Sequence, residues 1–236
     1  MRVHYLRHAP RHDTATIEAW AQARGHVVSG THVYESAGFP TLADFDVLVI
    51  MGGGVNVYQY DANPWLRPEK ALIRSAIDTG KAVLGICLGG QLMADVLGAP
   101  VTRAANTEVG WFPVWRTERG RDVPVFADFP PEFTTFCAHH DTFAIPKSAT
   151  HVASSAACDN QAFVYGDGRV VGLQFHPEVT RIYMEAQIDS AKAGPPPFED
   201  GPWVRPPENF LAPDAPFETC NGLLCALLDR MVALIE

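Results

Sequence analysis

The chain has 236 residues, which is enough for one large domain or two small ones. Its net charge of −9 and its scattered Lys and Arg residues argue against a nucleic-acid partner. No apolar run approaches the ~20 residues that a membrane span needs. Residues 1–8 resemble a strand rather than a signal peptide, so we expect a cytoplasmic protein without a membrane partner.

The first part of the chain alternates between segments typical of strands and segments typical of helices. The segments 2–7 and 26–33 look like strands, and apolar runs predict strands over 46–51 and 82–86. Helical spacing with Pro or Gly at the ends predicts helices over 14–24, 64–79 and 88–97. This alternation predicts an α/β fold with a parallel sheet and helices on both faces.

The second part carries shorter strand-like segments separated by Gly, Pro and Asp turns. We predict strands over 109–115, 132–136, 151–155, 161–165 and 170–175. They form either an extension of the sheet or a small antiparallel layer. Residues 194–216 are rich in proline and favour an ordered surface excursion or partly flexible loop over a polyproline II segment that binds a partner. A closing helix is predicted over 217–235, and 1–236 is predicted to be a single domain.

The five cysteines are odd in number and scattered, and no two form a CxxC pair. This pattern argues against a disulfide framework and against a cysteine-rich zinc site. Cys220 and Cys225 lie in the predicted closing helix and are interpreted as small apolar packing residues.

Cys87 occupies the turn between a predicted strand and a predicted helix, in the segment GICLGGQ over 85–91. We expect Gly85 and Gly89 to permit a backbone conformation that other residues would resist. The positive end of the following helix would favour the thiolate. Cys87 is therefore predicted to be a nucleophile.

His176 and Glu178 lie in QFHPE, directly after another predicted strand. Residues i and i+2 of an extended or turning backbone project to the same side, so Glu178 can orient one imidazole nitrogen while the other faces the thiol. This arrangement predicts a nucleophile, a base and an orienting carboxylate.

A glycine run, MGGG over 51–54, follows the predicted strand 46–51 at its carboxyl end. Ligands bind at this edge of α/β sheets, and the backbone N–H groups of Gly53 and Leu88 could form an oxyanion hole. A phosphate-binding loop and a plain tight turn are the rival interpretations, although the GxGxxG and P-loop spacings are absent.

Together, GICLGGQ, QFHPE and the MGGG loop resemble the class I glutamine amidotransferases, which use a Cys-His-Glu triad. EVGW over 108–111 and AHHDTF over 138–143 resemble the free-standing, γ-glutamyl peptidase-like branch. The resemblance implies a flavodoxin-like fold, with a mostly parallel central sheet, flanking helices and a small antiparallel extension. It also implies no cofactor and assigns the following roles: catalytic Cys87, His176 and Glu178; oxyanion donors Gly53 and Leu88; substrate-binding Gln91, Gly52, Glu108, Gly110, Trp111 and His139.

Departures from the family pattern are expected to touch the walls of the pocket. Gly54 stands where many members have proline, and Gly90 stands where many have histidine. The segment AHHDTF corresponds to WHGDTF in the free-standing branch, so Ala138 replaces a tryptophan and His140 replaces a glycine. His139 and His140 could suggest a metal, but adjacent strand residues point to opposite faces, so no metal site is predicted.

The implied chemistry is hydrolysis of the glutamine γ-amide through a γ-glutamyl thioester, which releases ammonia and glutamate. Either a separate synthase subunit uses the ammonia, or the protein acts alone on glutamine or on a γ-glutamyl peptide. A catalytically silent binding protein is disfavoured by the complete triad. A cysteine hydrolase or chaperone of the related flavodoxin-like class is disfavoured because Leu88, not His, follows Cys87.

Overall fold

The computed structural model contains a single nine-stranded sheet flanked by helices, and it describes residues 1–10, 14–35, 38–191, 198 and 201–236. The strands are β1 (Arg2–Arg7), β2 (Val27–His32), β3 (Val47–Ile50), β4 (Ala82–Ile86), β5 (Val101–Arg116), β6 (Glu132–Phe143), β7 (Ala149–Ser155), β8 (Ala162–Tyr165) and β9 (Val170–Leu173). The helices are α1 (Ala15–Ala23), α2 (Leu66–Asp78), α3 (Leu88–Val96), α4 (Arg181–Ala191) and α5 (Phe217–Val232).

One half of the sheet is parallel and covered on both faces. Its strand order is β2-β1-β3-β4-β9, and every neighbouring pair is parallel. All four residues of β3 are buried, which explains its uninterrupted apolar sequence. Val47 and Val49 pack with α1 and α5, whereas Leu48 and Ile50 pack with α2 and α3. The predicted α/β class, with helices on both faces, is confirmed.

The other half of the sheet is antiparallel, in the order β9-β8-β7-β5-β6. The second set of predicted strands therefore extends the same sheet rather than forming a separate layer. β5 and β6 are much longer than predicted, with a register shift between Arg103 and Glu108. Asn106, Gly110 and Pro113 look like turn residues in sequence, but the long pairing of β5 with β6 keeps all three within one strand.

The helix predictions agree with the structure to within a few residues, and α5 ends at Val232 rather than at 235. Of the predicted excursion 194–216, positions 194–197 and 199–200 lie outside the described residues. No helix in the described part of the chain has the length and apolarity needed to cross a membrane.

An ion pair joins the start of β1 to the residue before β3. The guanidinium of Arg2 lies 2.6 Å from the carboxylate of Asp46, which also accepts a hydrogen bond from the Arg2 backbone N–H. Hydrogen bonds from Arg2 lower the pKa of Asp46 to about 2.

Because this folded-state pKa lies below the unfolded value, Asp46 stabilises the fold when it is ionised, and the contribution is lost as pH falls through the folded pKa. We expect the difference in unfolding free energy between wild type and Asp46→Asn to shrink as the pH falls from about 5 to about 2. Urea denaturation at several pH values measures this difference. A constant difference over the range would contradict the assignment.

Candidate active site

Cys87 lies between the end of β4 and the start of α3 in a strained conformation. Its φ of 52° and ψ of −106° are unusual for a residue with a side chain, and such strain costs roughly 1–3 kcal/mol. Two backbone hydrogen bonds hold it: the Cys87 N–H donates to Leu173 at 2.8 Å, and the Cys87 carbonyl accepts from Gln91 at 3.0 Å. Strain imposed by the surrounding fold is typical of a functional position.

The glycines around Cys87 serve close packing. Neither Gly85 nor Gly89 has a positive φ, and it is their small size that permits a backbone that other residues would resist. A Cβ on Gly89 would lie 2.1 Å from the carbonyl oxygen of Ile50. The contact shows that α3 rests directly on β3, which fixes the start of the helix beside the sulfur.

Gly90 packs in the same way against β9. A Cβ at this position would lie 2.6 Å from the carbonyl oxygen of Leu173. Gly90 was expected to touch the wall of the pocket, but a side chain at this position would face the backbone of the sheet. Gly54, by contrast, has open space around its Cα.

His176 completes the predicted pair with Glu178. Its backbone N–H donates to Phe136 of β6 at 2.7 Å, and its Nδ1 donates to Glu178 Oε1 at 2.8 Å. The ring lies near Cys87, since a Cβ built on Gly52 would be 3.0 Å from His176 Cε1 and 3.7 Å from Cys87 Cβ. The structure therefore brings the three predicted catalytic residues together.

The charge environment of His176 follows from these contacts. Burial by itself lowers the pKa of the imidazole, but the negative charges of Glu178 and Cys87 outweigh it and place the pKa of His176 well above its usual value. The site is therefore built to stabilise an imidazolium beside the sulfur and the carboxylate.

Two glutamine side chains adjoin the nucleophile. Gln174 donates from Nε2 to Cys87 Sγ at 3.6 Å. Gln91 donates from Nε2 to Gln174 Oε1 at 3.2 Å and to the Asp141 carbonyl at 3.0 Å. Gln91 thus positions Gln174, and its predicted contact with substrate stays a prediction.

Gly52 and Gly53 border the catalytic residues, as the sequence predicted for the loop after β3. A Cβ on Gly52 would lie 3.0 Å from His176 Cε1 and 3.7 Å from Cys87 Cβ. A Cβ on Gly53 would lie 2.5 Å from a methyl group of Leu88. The two predicted oxyanion donors, Gly53 and Leu88, are therefore neighbours.

The turn that carries Glu178 is held by side chains of α1 and α5. Thr16 Oγ1 donates to the Glu178 carbonyl at 2.7 Å, and Asn221 Nδ2 donates to the carbonyls of Pro177 at 2.8 Å and Val179 at 2.9 Å. Three consecutive carbonyls thus have side-chain donors. Sequence analysis missed Thr16 and Asn221, because no local pattern links them to a turn so distant in the chain.

Glu108 and His139 form an internal polar cluster instead of lining open space. Their side chains are each 1% exposed and lie 3.1 Å apart. Ser155 Oγ donates to one carboxylate oxygen of Glu108 at 2.8 Å, and Gln161 Nε2 donates to the other at 2.6 Å. Their predicted direct contact with substrate stays a prediction that this enclosed arrangement does not favour.

Glu108, Cys137 and His139 also form the one group of three close potential metal ligands among the described residues. Burial, together with the charge of Glu108, raises the pKa of Cys137 well above its usual value, so the thiol keeps its proton. The carboxylate oxygens already accept hydrogen bonds. This cluster fits a hydrogen-bonded core network better than a metal site.

Gly110 and Trp111 lie against the described part of the excursion. Gly110 has a φ of 131°, and a Cβ there would lie 2.7 Å from Arg205 Cγ. Trp111 donates from Nε1 to the Phe210 carbonyl at 3.0 Å. The backbone of Val109 bonds to both Trp203 and Arg205, so this segment runs beside β5 as a packed wall. The structure thus places Gly110 and Trp111 under the excursion, and their predicted substrate contacts stay predictions.

A family model and several known proteins resemble this chain. A family model described as glutamine amidotransferase class-I matches residues 20–188. The glutamine amidotransferase-like protein YfeJ of Salmonella typhimurium is 34% identical over 196 residues, covering 81% of this chain and 82% of that protein. A GMP synthase of Thermomicrobium roseum is 37% identical over 142 residues, but these cover only 25% of its length.

Solved structures resemble the chain over nearly its full length. The crystal structure of a glutamine amidotransferase from Thermotoga maritima has 32% identity and a TM-score of 0.86, with 98% of both chains covered. A glutamine amidotransferase from Methylobacillus flagellatus has 25% identity and a TM-score of 0.89, covering 98% of this chain and 94% of its own. The sequence resemblance is thereby confirmed, and the chain belongs to the class I glutamine amidotransferase family.

Proposed function

We propose that the protein is a glutaminase-type cysteine amidohydrolase that cleaves the γ-amide of a glutaminyl group. The observation that carries this proposal is the convergence of Cys87, His176 and Glu178, with the strained nucleophile at the start of α3. A thiol, a base in contact with it and a carboxylate on the far side of the base supply nucleophilic acyl transfer.

In the first step, the Cys87 sulfur attacks the γ-carbonyl carbon while His176 holds the proton. The resulting oxyanion accepts hydrogen bonds from the N–H groups of Gly53 and Leu88, and the close approach of these two residues supports that role. His176 then gives its proton to the departing amine, and a γ-glutamyl thioester on Cys87 remains.

In the second step, His176 takes a proton from water, and the hydroxide attacks the thioester. Collapse of this second tetrahedral intermediate releases glutamate and the Cys87 thiolate, and the proton taken from water stays on His176 for the next cycle. Glu178 keeps the Nδ1 proton in place throughout, so that Nε2 is the nitrogen that exchanges protons.

The leaving group decides between two versions of this activity. Ammonia would serve a synthase, and one relative is a subunit of the glutamine-hydrolyzing GMP synthase of Methanoculleus marisnigri, 30% identical over 134 residues. We therefore propose a separate synthase partner as the first version. The exposed Gly54, which follows Gly52 and Gly53 in the loop, is compatible with the second version, hydrolysis of a γ-glutamyl peptide with a larger leaving amine.

Glutamate release from glutamine and from a γ-glutamyl dipeptide, measured side by side, tests the function and separates the versions. Higher kcat/KM for glutamine supports an amidotransferase, and higher kcat/KM for the dipeptide supports a stand-alone peptidase. Release from neither substrate, by protein whose Cys87 reacts with iodoacetamide, would contradict the proposed function.

Asn221 provides a test of how the catalytic turn is held. Asn221→Ala removes the donor to Pro177 and Val179, so Glu178 and with it His176 lose their fixed positions. We expect kcat to fall by roughly tenfold to a hundredfold with little change in KM. Steady-state kinetics measures the effect.

Asn106→Ala is the matched control, because this asparagine also donates to a loop carbonyl, that of Ala157, outside the catalytic turn. The control should lose stability without the selective loss of kcat. Equal kcat values for the two variants would contradict the role of Asn221.

A further inference from the structure

A second histidine–carboxylate pair lies beside the glycine loop and has no part in the mechanism above. His8 directly follows β1, and Glu69 lies in the first turn of α2. Both side chains are 0% exposed. Burying two ionisable groups is costly unless each is hydrogen-bonded, so their contacts indicate what the pair does.

The contacts of His8 fix the number of protons in the pair. Its Nε2 lies 2.8 Å from Glu69 Oε1, and its Nδ1 lies 3.2 Å from the carbonyl oxygen of Gly52. Because a carbonyl only accepts, Nδ1 must carry a proton, and a second proton must lie between Nε2 and Glu69.

The bond to Gly52 constrains the next peptide group. The Gly52 carbonyl and the Gly53 N–H belong to one planar trans peptide, in which the C=O and N–H bonds point in opposite directions. A donor that holds the oxygen on one side therefore aims the Gly53 N–H to the other side. Packing restricts the same peptide, since a Cβ on Gly53 would lie 2.9 Å from His8 Cβ and 2.5 Å from Leu88 Cδ2.

We propose that His8 and Glu69 are positioning residues that orient the Gly52–Gly53 peptide, so that the Gly53 N–H donates to the oxyanion. Glu69 holds the His8 ring, His8 holds the Gly52 carbonyl, and the Gly53 N–H faces the carbon attacked by Cys87. This inference rests on the proposed function and adds two residues, distant in sequence, to the oxyanion hole.

Two substitutions separate the bonds that His8 makes. In His8→Asn the amide nitrogen occupies the region of Nδ1 and can still donate to Gly52. In His8→Gln the longer amide reaches toward Glu69 and no longer donates to the Gly52 carbonyl from the position of His8 Nδ1. We expect His8→Gln to lower kcat by about 100-fold at nearly unchanged KM, and His8→Asn to stay within about tenfold of wild type.

Alkylation of Cys87 by iodoacetamide is the second readout, because this reaction displaces iodide and develops no oxyanion at a carbonyl. The rate should be close to that of wild type in both variants. An alkylation rate that falls in parallel with kcat would show a general structural role and overturn the proposal, as would a His8→Gln variant with the kcat of wild type.

Failure of the underlying function has a different signature. The wild type would release no glutamate although Cys87 is alkylated, and this would overturn both the function and the positioning role. Activity in the wild type with equal loss in His8→Asn and His8→Gln would overturn the positioning role alone.

Discussion

Replacing Cys87 by serine is expected to lower kcat for glutamate release by about four orders of magnitude or more. The hydroxyl of serine is a far weaker nucleophile beside His176, and no thioester can form. The site is otherwise preserved, because the substitution keeps the size of a side chain that is 6% exposed. Initial rates with glutamine or a γ-glutamyl dipeptide measure the loss of kcat, and the unfolding free energy checks that the fold is preserved.

Cys225→Ser is the matched control for this experiment. Cys225 lies on α5, and burial raises the pKa of its thiol, as expected of a packing residue. We expect unchanged kcat for this variant. A Cys87→Ser protein with a kcat near that of wild type would contradict the assignment of the nucleophile.

Substituting Gly89 by alanine is expected to destabilise the protein by about 2 kcal/mol or more. The added Cβ would lie 2.1 Å from the Ile50 oxygen and 2.8 Å from its carbonyl carbon, both in the backbone of β3. The helix α3 must move away from the sheet, and the Leu88 N–H moves with it. Urea denaturation should show the loss, and the remaining folded protein should have reduced kcat.

Gly222→Ala tests the same substitution where the helix has room. Gly222 lies within α5, and nothing lies within 4 Å of a Cβ built there. Its replacement should raise the unfolding free energy by up to about 1 kcal/mol. Equal effects at Gly89 and Gly222 would contradict the view that α3 is held by close contact with β3.

The grouping of the candidate catalytic residues was predictable because their signals are local. Cys87 follows a buried apolar strand at a turn, and His176 and Glu178 are two residues apart, so short patterns contain the necessary geometry. The centre of the parallel half was predictable for the same reason, since β3 and β4 are continuous apolar runs. The comparisons confirm the family that these patterns indicated.

The supporting residues were not predictable, because their partners are far away in the chain. His8 bonds Gly52 and Glu69, and Asn221 bonds a turn that precedes it by some forty residues. Such contacts depend on which strand ends and helices meet in space. The one available signal was that His8 follows a strand at the edge of the sheet where ligands bind.

The structural role of the glycines near Cys87 could not be predicted from the sequence either. A glycine that supplies a positive φ and one that permits close contact look identical in a single sequence. Cys87 itself adopts the positive φ, whereas Gly89 and Gly90 lie against the carbonyl oxygens of β3 and β9.

The most direct test of the central claim is to trap the covalent intermediate. Wild-type protein is mixed with glutamine or a γ-glutamyl dipeptide, quenched in acid within one turnover, and analysed by intact-protein and peptide mass spectrometry. We predict one added γ-glutamyl group, located on the peptide that contains Cys87 and absent from Cys87→Ala. Glutamate release without any adduct on Cys87, or with an adduct on another residue, would contradict the account.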